Sequence, residues 1–281
     1  MDYILGIIIL LTIIKSWVLS FKKESKFSSK FEEEESPFKP TKHQLVFVLN
    51  FNGDTLASEV ENLRKEITAI ILHQEIQNVK EVVIKIYSPG GSVTGYGLAA
   101  SQILRLKNAK IPVTVCIDEV AASGGYMMAC VADKIIAAPF SLIGSIGVVC
   151  EFPNVSELLS NIGINFKQYT AGESKRTVSP YTTPTEENEI KLNKELAKVH
   201  DQFKKHVKQF RPNIDIDVIA TGECWQGQEC VAINLIDQVG VSDDYVLSLT
   251  QKYDVMHINL IDTKPKFSII SWIAKYFKII K

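Results

Sequence analysis

Val120-Ala121-Ala122-Ser123-Gly124-Gly125-Tyr126-Met127-Met128-Ala129-Cys130 is the stretch from which the fold of this 281-residue chain is read. It follows the apolar, β-branched residues 111–117 and leads into an apolar segment that reads as a helix, so Ser123 falls at a strand-to-helix junction. Such a junction suits a nucleophile. Small neighbours let a substrate carbonyl approach, and the N–H groups of a helix start point toward developing negative charge. A glycine-rich loop packed beneath a helix accounts for the same residues, so the flanking sequence has to decide.

Upstream, residues 44–51 are apolar and β-branched, and Asn52-Gly53-Asp54 closes them with a turn. Val60, Leu63, Ile67, Ile70 and Ile71 then recur at helical spacing. The alternation repeats: residues 82–87 read as a strand, Ser88-Pro89-Gly90-Gly91-Ser92 as a turn, and Leu98, Ile103 and Leu104 lie in a helical segment. Strands separated by helices predict an α/β fold with a parallel sheet, right-handed crossovers and ligands at the carboxyl ends of the strands. Both glycine-rich turns follow strands and so meet at that edge. An oxyanion hole can form there from one N–H of Gly90 or Gly91 and another of Gly124, with Ser123 between them.

Downstream, Ile135-Ile136-Ala137-Ala138 and residues 143–149 are further apolar runs, residues 154–162 a short helix and residues 166–169 a short strand. That strand delivers Ala171-Gly172-Glu173-Ser174-Lys175-Arg176-Thr177. A basic residue after a strand is ordinarily a solvated surface charge. Ser123 changes its reading, because a serine nucleophile needs a base. His43, His73, His200, His206 and His257 fall in the tether, on helices and in the tail, none beside a turn of the strand-helix core. A Ser-Lys dyad with Lys175 is the alternative. A lysine base must be brought from a pKa of about 10.4 toward about 7 to 8, which costs the charged form roughly 3 to 5 kcal/mol. The Ser145 hydroxyl can hold such an amine in place.

The ends are different material. Residues 3–14 are almost unbroken hydrocarbon, and with Lys15 only interrupting it the segment to residue 21 approaches the length of a spanning helix; a cleaved signal peptide lacks a matching cleavage site here. Lys15, Lys22, Lys23, Lys26 and Lys30 follow the apolar run, which by the positive-inside rule favours a cytoplasmic domain. Residues 22–43 are a charged tether, residues 44–252 the main domain and residues 253–281 a tail. In the tail, Ser268, Ser271, Lys275 and Lys278 oppose Ile269, Ile270, Ile273, Phe277 and Ile280, a basic amphipathic helix suited to a membrane surface or to a neighbouring subunit. Thr183-Pro184-Thr185-Glu186 reads as a capping box opening a helix with Leu192, Leu196, Val199, Phe203, Val207 and Phe210 on one stripe. Thr221 to Cys230 reads as a turn before a short helix. The balance of 31 basic against 32 acidic residues argues against a nucleic-acid binder, and five cysteines are too few for a disulfide scaffold, although Cys224 and Cys230 can pair in an oxidising compartment.

Four motifs in order, Tyr87-Ser88-Pro89-Gly90-Gly91, Ala122-Ser123-Gly124-Gly125-Tyr126, Ile143-Gly144-Ser145-Ile146-Gly147 and residues 170–177, give the chain its family likeness. It resembles the S49 peptidases related to signal peptide peptidase A, and within them the SohB-like, membrane-anchored branch. The resemblance implies a ClpP/crotonase-like fold, Ser123 as nucleophile, Lys175 as general base and Ser145 as the residue orienting the lysine. It further implies a ring-shaped homo-oligomer, peptide or unfolded-protein substrates without a cofactor or metal, and a bacterial inner-membrane anchor with the catalytic domain in the periplasm, against the charge bias. A crotonase-like acyl-CoA enzyme would leave Ser123 and Lys175 without a role. A non-catalytic membrane scaffold would be indifferent to their replacement.

Overall fold

The computed structural model describes residues 44–258, apart from 75–77, 173, 174 and 176. The anchor, the tether and the tail helix expected from sequence lie outside the described residues, among which no helix is long and apolar enough to cross a membrane.

The first half alternates as the periodicity predicts: β1 (Leu45–Asn52), α1 (Val60–Gln74), β2 (Val79–Tyr87), α2 (Val93–Asn108) and β3 (Val113–Ile117). A short β4 (Val120–Ala122) then leads into α3 (Gly124–Ala129), followed by β5 (Lys134–Ala137), β6 (Leu142–Gly144) and α4 (Ser156–Asn161). The remainder comprises α5 (Glu186–Phe210), α6 (Ile216–Ile219), β7 (Cys224–Gln226), α7 (Gly227–Cys230), β8 (Gln238–Val239), α8 (Ser242–Thr250) and β9 (Asp254–His257).

Six strands form one sheet in the order β8-β5-β3-β2-β1-β9, every pair parallel. Parallel strands bury both faces, which is why β1 is apolar at consecutive positions rather than alternate ones. Leu45, Phe47, Leu49 and Phe51 join the cluster that includes Val60, Leu63, Ile67 and Ile70 of α1. Val46 and Val48 turn to the opposite face, where Val83, Cys116 and Ile136 lie under Val246 and Leu249 of α8. Buried Glu81 is satisfied on that side by the hydroxyls of Thr114 and Tyr245, the latter at 2.8 Å. A second sheet, β4-β6-β7, pairs β4 with β6 in parallel and β6 with β7 antiparallel. It is joined to the first by a bridge between Ser88 and Ala121.

Several local expectations are corrected. Residues 166–169 form no strand: Tyr169 is exposed, and Phe166 packs on the Tyr181 ring with centroids 5.0 Å apart. A segment that short has no stability without a partner edge. The apolar run 143–149 enters β6 only as far as Gly144, and the chain turns at Ser145. The long helix is capped by Thr185, whose hydroxyl accepts from Asn188 N at 3.3 Å, instead of by Thr183. Starting there places Glu186, Glu187 and Glu189 in the first turn, where the helix dipole favours negative charge. Of its apolar stripe only Phe203 and Val207 are buried. Between Thr221 and Cys230 the structure adds β7 before the short helix, and β9 carries the sheet past residue 252.

Leu49 is fully buried in a central strand and Leu247 lies 61% exposed on α8. Urea unfolding should therefore show Leu49→Ala losing about 2 to 5 kcal/mol and Leu247→Ala within about 0.5 kcal/mol of the parent.

Candidate active site

The register of β4 on β6 pairs Ala122 with Gly144, so the next residues of the two strands, Ser123 and Ser145, emerge as neighbours. Both have φ of 51°, a left-handed conformation that side chains rarely adopt. Backbone bonds hold them there: Ser123 N–H donates to Gly144 O at 2.7 Å and Ser145 N–H to Glu223 O at 2.6 Å. Ser123 stands at the N-terminus of α3, yet its side chain makes no capping bond, which leaves the half-buried hydroxyl free for another partner. Sequence placed Ser123 at a strand-to-helix junction, and that is where it lies; the strand is β4 of the second sheet rather than the 111–117 run.

The turn after β2 is tied to this junction. Ser88 N–H donates to Val120 O at 2.9 Å, and Ala122 N–H donates to Ser88 O at 3.0 Å. Gly90, at φ 95°, has no room for a side chain, because a Cβ there would lie 2.7 Å from that of Ser123. Of the three glycines expected to serve an oxyanion hole, Gly90 is buried and donates its N–H to Ser88 Oγ at 3.1 Å. Gly91 is exposed beside it, and neither its amide nor that of Gly124 has an acceptor among the described residues. At the first turn of a helix such an amide has no intrahelical partner.

Sequence reasoning missed what lies beneath. Ser88 Oγ donates to Tyr96 Oη at 2.6 Å, and Tyr96 Oη donates to Asp54 O at 2.8 Å. Both side chains are fully buried, and burial pushes the Tyr96 phenol above its ordinary pKa, keeping it a donor. The Tyr96 ring occupies the space that a side chain on Gly124 would need. Tyr96 is visible in sequence only as one apolar position of α2. Trp225 of β7 likewise packs against Gly144.

The histidines correct a second expectation, since two of them do reach the serine segments. From α5, His200 Nε2 donates to Ile146 O at 3.1 Å and His206 Nε2 to Met127 O at 2.8 Å. Both nitrogens serve as donors to backbone and so stand as braces rather than bases. Lys175 is exposed on a turn in which its N–H donates to Gly172 O at 3.1 Å, and it makes no bond to Ser123. The structure thus assembles Ser123, Gly90, Gly91, Gly124 and Ser145 and does not bring Lys175 to them. Cys224 is exposed and Cys230 buried; both are free thiols, and burial pushes that of Cys230 up to about 12.

Burial holds the His206 pKa below its ordinary value, outweighing the bond to Met127. The unfolded chain therefore takes up a proton that the folded one resists, and stability present above the ordinary value of about 6.5 is lost as pH falls through the folded value. The melting temperature should fall below about pH 6.5, and less steeply in His206→Gln, as measured by thermal denaturation across pH.

The sequence profile of peptidase family S49 matches residues 105–256, and that of its N-terminal region residues 11–103. The chain is 49% identical over 217 residues to the probable protease SohB of Haemophilus influenzae, covering 77% of this chain and 61% of that one. It is 44% identical over 241 residues to the probable protease SohB of Buchnera aphidicola subsp. Schizaphis graminum, covering 85% and 70%. The putative signal peptide peptidase SppA of Enterococcus faecium is 30% identical over 215 residues, at 75% and 62%. The chain thus spans about three-fifths of the length of several curated relatives, 61% and 60% in two SohB proteins. Among solved structures, the 1510-N membrane-bound stomatin-specific protease, as a lysine-to-alanine mutant with a substrate peptide, superposes with a TM-score of 0.52 at 15% identity. That alignment covers 83% of this chain and 98% of the other, and it shows a shared fold. With one profile matched over more than half its length and a SohB relative covered over 70% of its own, the chain belongs to peptidase family S49.

Proposed function

We propose that the chain is a membrane-anchored serine endopeptidase of ClpP/crotonase-like fold that hydrolyses extended peptides or unfolded protein segments through an acyl-enzyme. The observation that carries this reading is the left-handed Ser123 at the β4–α3 junction, its hydroxyl uncapped and its neighbours small. A substrate carbonyl resting on the Gly91 and Gly124 amides presents its carbon to Ser123 Oγ. As Oγ attacks, its proton passes to the neutral Lys175 amine, which returns it to the leaving amine. Water, deprotonated by the same lysine, then releases the acyl group. Ser145, beside Ser123 in the register, orients the amine.

The reading requires the Lys175 amine to meet Ser123 Oγ, which a neighbouring copy in a ring can supply. Exposed apolar side chains in the segment that precedes Lys175, among them Leu158, Ile162, Ile164 and Tyr169, favour a partner surface there. The anchor is residues 1–21, in a bacterial inner membrane with the domain in the periplasm. Its support is the apolar run itself and the family likeness.

Ser123→Ala should abolish peptide hydrolysis and fluorophosphonate labelling while the protein stays folded; unchanged turnover would overturn the mechanism. Lys175→Arg should fail as completely as Lys175→Ala, because a guanidinium stays charged and accepts no proton. An active arginine variant would place the base elsewhere. For topology, protease added to spheroplasts should degrade the domain; protection that lasts until the membrane is lysed would put it in the cytoplasm.

A further inference from the structure

We propose that Tyr96, acting with Ser88, is a positioning residue that sets the spacing of the two backbone amides receiving the oxyanion. The inference rests on the hydrolase reading of Ser123 and extends it to two side chains that touch no substrate. Its starting point is a buried relay of one polarity: Gly90 N–H to Ser88 Oγ at 3.1 Å, Ser88 O–H to Tyr96 Oη at 2.6 Å, and Tyr96 O–H to Asp54 O at 2.8 Å. Each hydroxyl donates once and accepts once, so the direction of every bond follows from the carbonyl at its end.

The relay decides which glycine amide remains available. With the Gly90 N–H turned inward to Ser88, the amide of the exposed residue Gly91 is the next donor on the turn. The turn is fixed on its far side as well, where Ser92 N–H donates to Thr55 O at 2.8 Å. The second amide, Gly124, is fixed by the same tyrosine through another part of it. A Cβ on Gly124 would lie 2.4 Å from Cγ and Cδ2 of the Tyr96 ring, and Gly53 makes way for the hydroxyl end in the same manner. One side chain therefore sets one amide by its hydroxyl and the other by its ring. Phe51 packs on that ring edge to face, with centroids 6.2 Å apart.

Tyr96→Phe separates the two contacts, since it keeps the ring under Gly124 and cuts the relay. Substrate groups outside the hole are untouched, so kcat should fall by about 10- to 100-fold, up to the roughly 100-fold of a group displaced by about 1 Å and short of the roughly 100- to 1,000-fold of a lost oxyanion donor, while KM stays within about twofold. Fluorophosphonate labelling of Ser123 should slow in parallel, because phosphonylation develops charge in the same hole. Ser88→Ala cuts the same relay one bond earlier and should show the same split. The double variant should be no worse than about twofold below the poorer single, because both substitutions break one chain. Val246→Ala, in the cluster on the opposite face of the sheet, is the stability control and should lower the melting temperature without changing kcat. Full kcat in Tyr96→Phe, or losses that multiply in the double variant, would overturn the proposal. If Tyr96→Phe does not fold, Ser88→Ala decides, and full kcat there is equally fatal. A parent protein that is not labelled at Ser123 would instead overturn the hydrolase reading, and this inference with it.

Discussion

The hydrogen bond from Ser123 N–H to Gly144 O, 2.7 Å long, continues the pairing of β4 with β6 by one residue beyond the strands, and the site depends on it. A serine at φ 51° is held against its own preference, at a cost of order 1 to 3 kcal/mol. Ser145 repeats the φ of 51° one strand over, and its N–H is secured by Glu223 O, so the strain is shared by three adjoining segments. None of them is rigid alone. β4, β6 and β7 have three residues each, and their order derives from each other and from the Ser88–Ala121 bridge to the large sheet.

The large sheet carries the packed core of the described residues. Its strands are covered on both faces, one by the cluster under α1 and the other by the smaller cluster under α8. Burial at consecutive positions of β1 and β2 fixes the level at which each strand ends. The turns at 53–54 and 88–91 thereby come to the same edge, where Gly53 N–H donates to Tyr87 O at 2.7 Å. α5 adds a brace through His200 and His206, bonded to the carbonyls of Ile146, next to Ser145, and of Met127, one helical turn beyond Ser123.

The parallel sheet was legible because residues 44–51, 82–87 and 111–117 are long apolar runs spaced by helical periodicity, a local signal. Ser123, Gly90, Gly91 and Gly124 were legible for a similar reason: small residues cluster after strands where a backbone must approach closely. β7 and β9 were not, since three or four half-exposed residues carry no period and become strands only when an edge is offered to them. The roles of Tyr96, His200 and His206 were hidden because each depends on a carbonyl or hydroxyl distant in sequence, Asp54 O lying 42 residues from Tyr96 and Met127 O 79 from His206. Sequence spacing ranks residues by what they are beside. The Ser88–Tyr96 relay is a matter of what they are beneath.

The dependence of Ser145 on Glu223 has a meaning for biogenesis. A chain made from its N-terminus exposes Ser123 about a hundred residues before Glu223 and the strand that follows it exist. Until then β6 lacks its antiparallel neighbour, the second left-handed serine lacks its acceptor, and the elbow beside it has nothing to lean on. A half-made chain thus carries the serine without the shape. Only completion of the fold, when the last strand of the small sheet pairs with β6, sets both serines in their places.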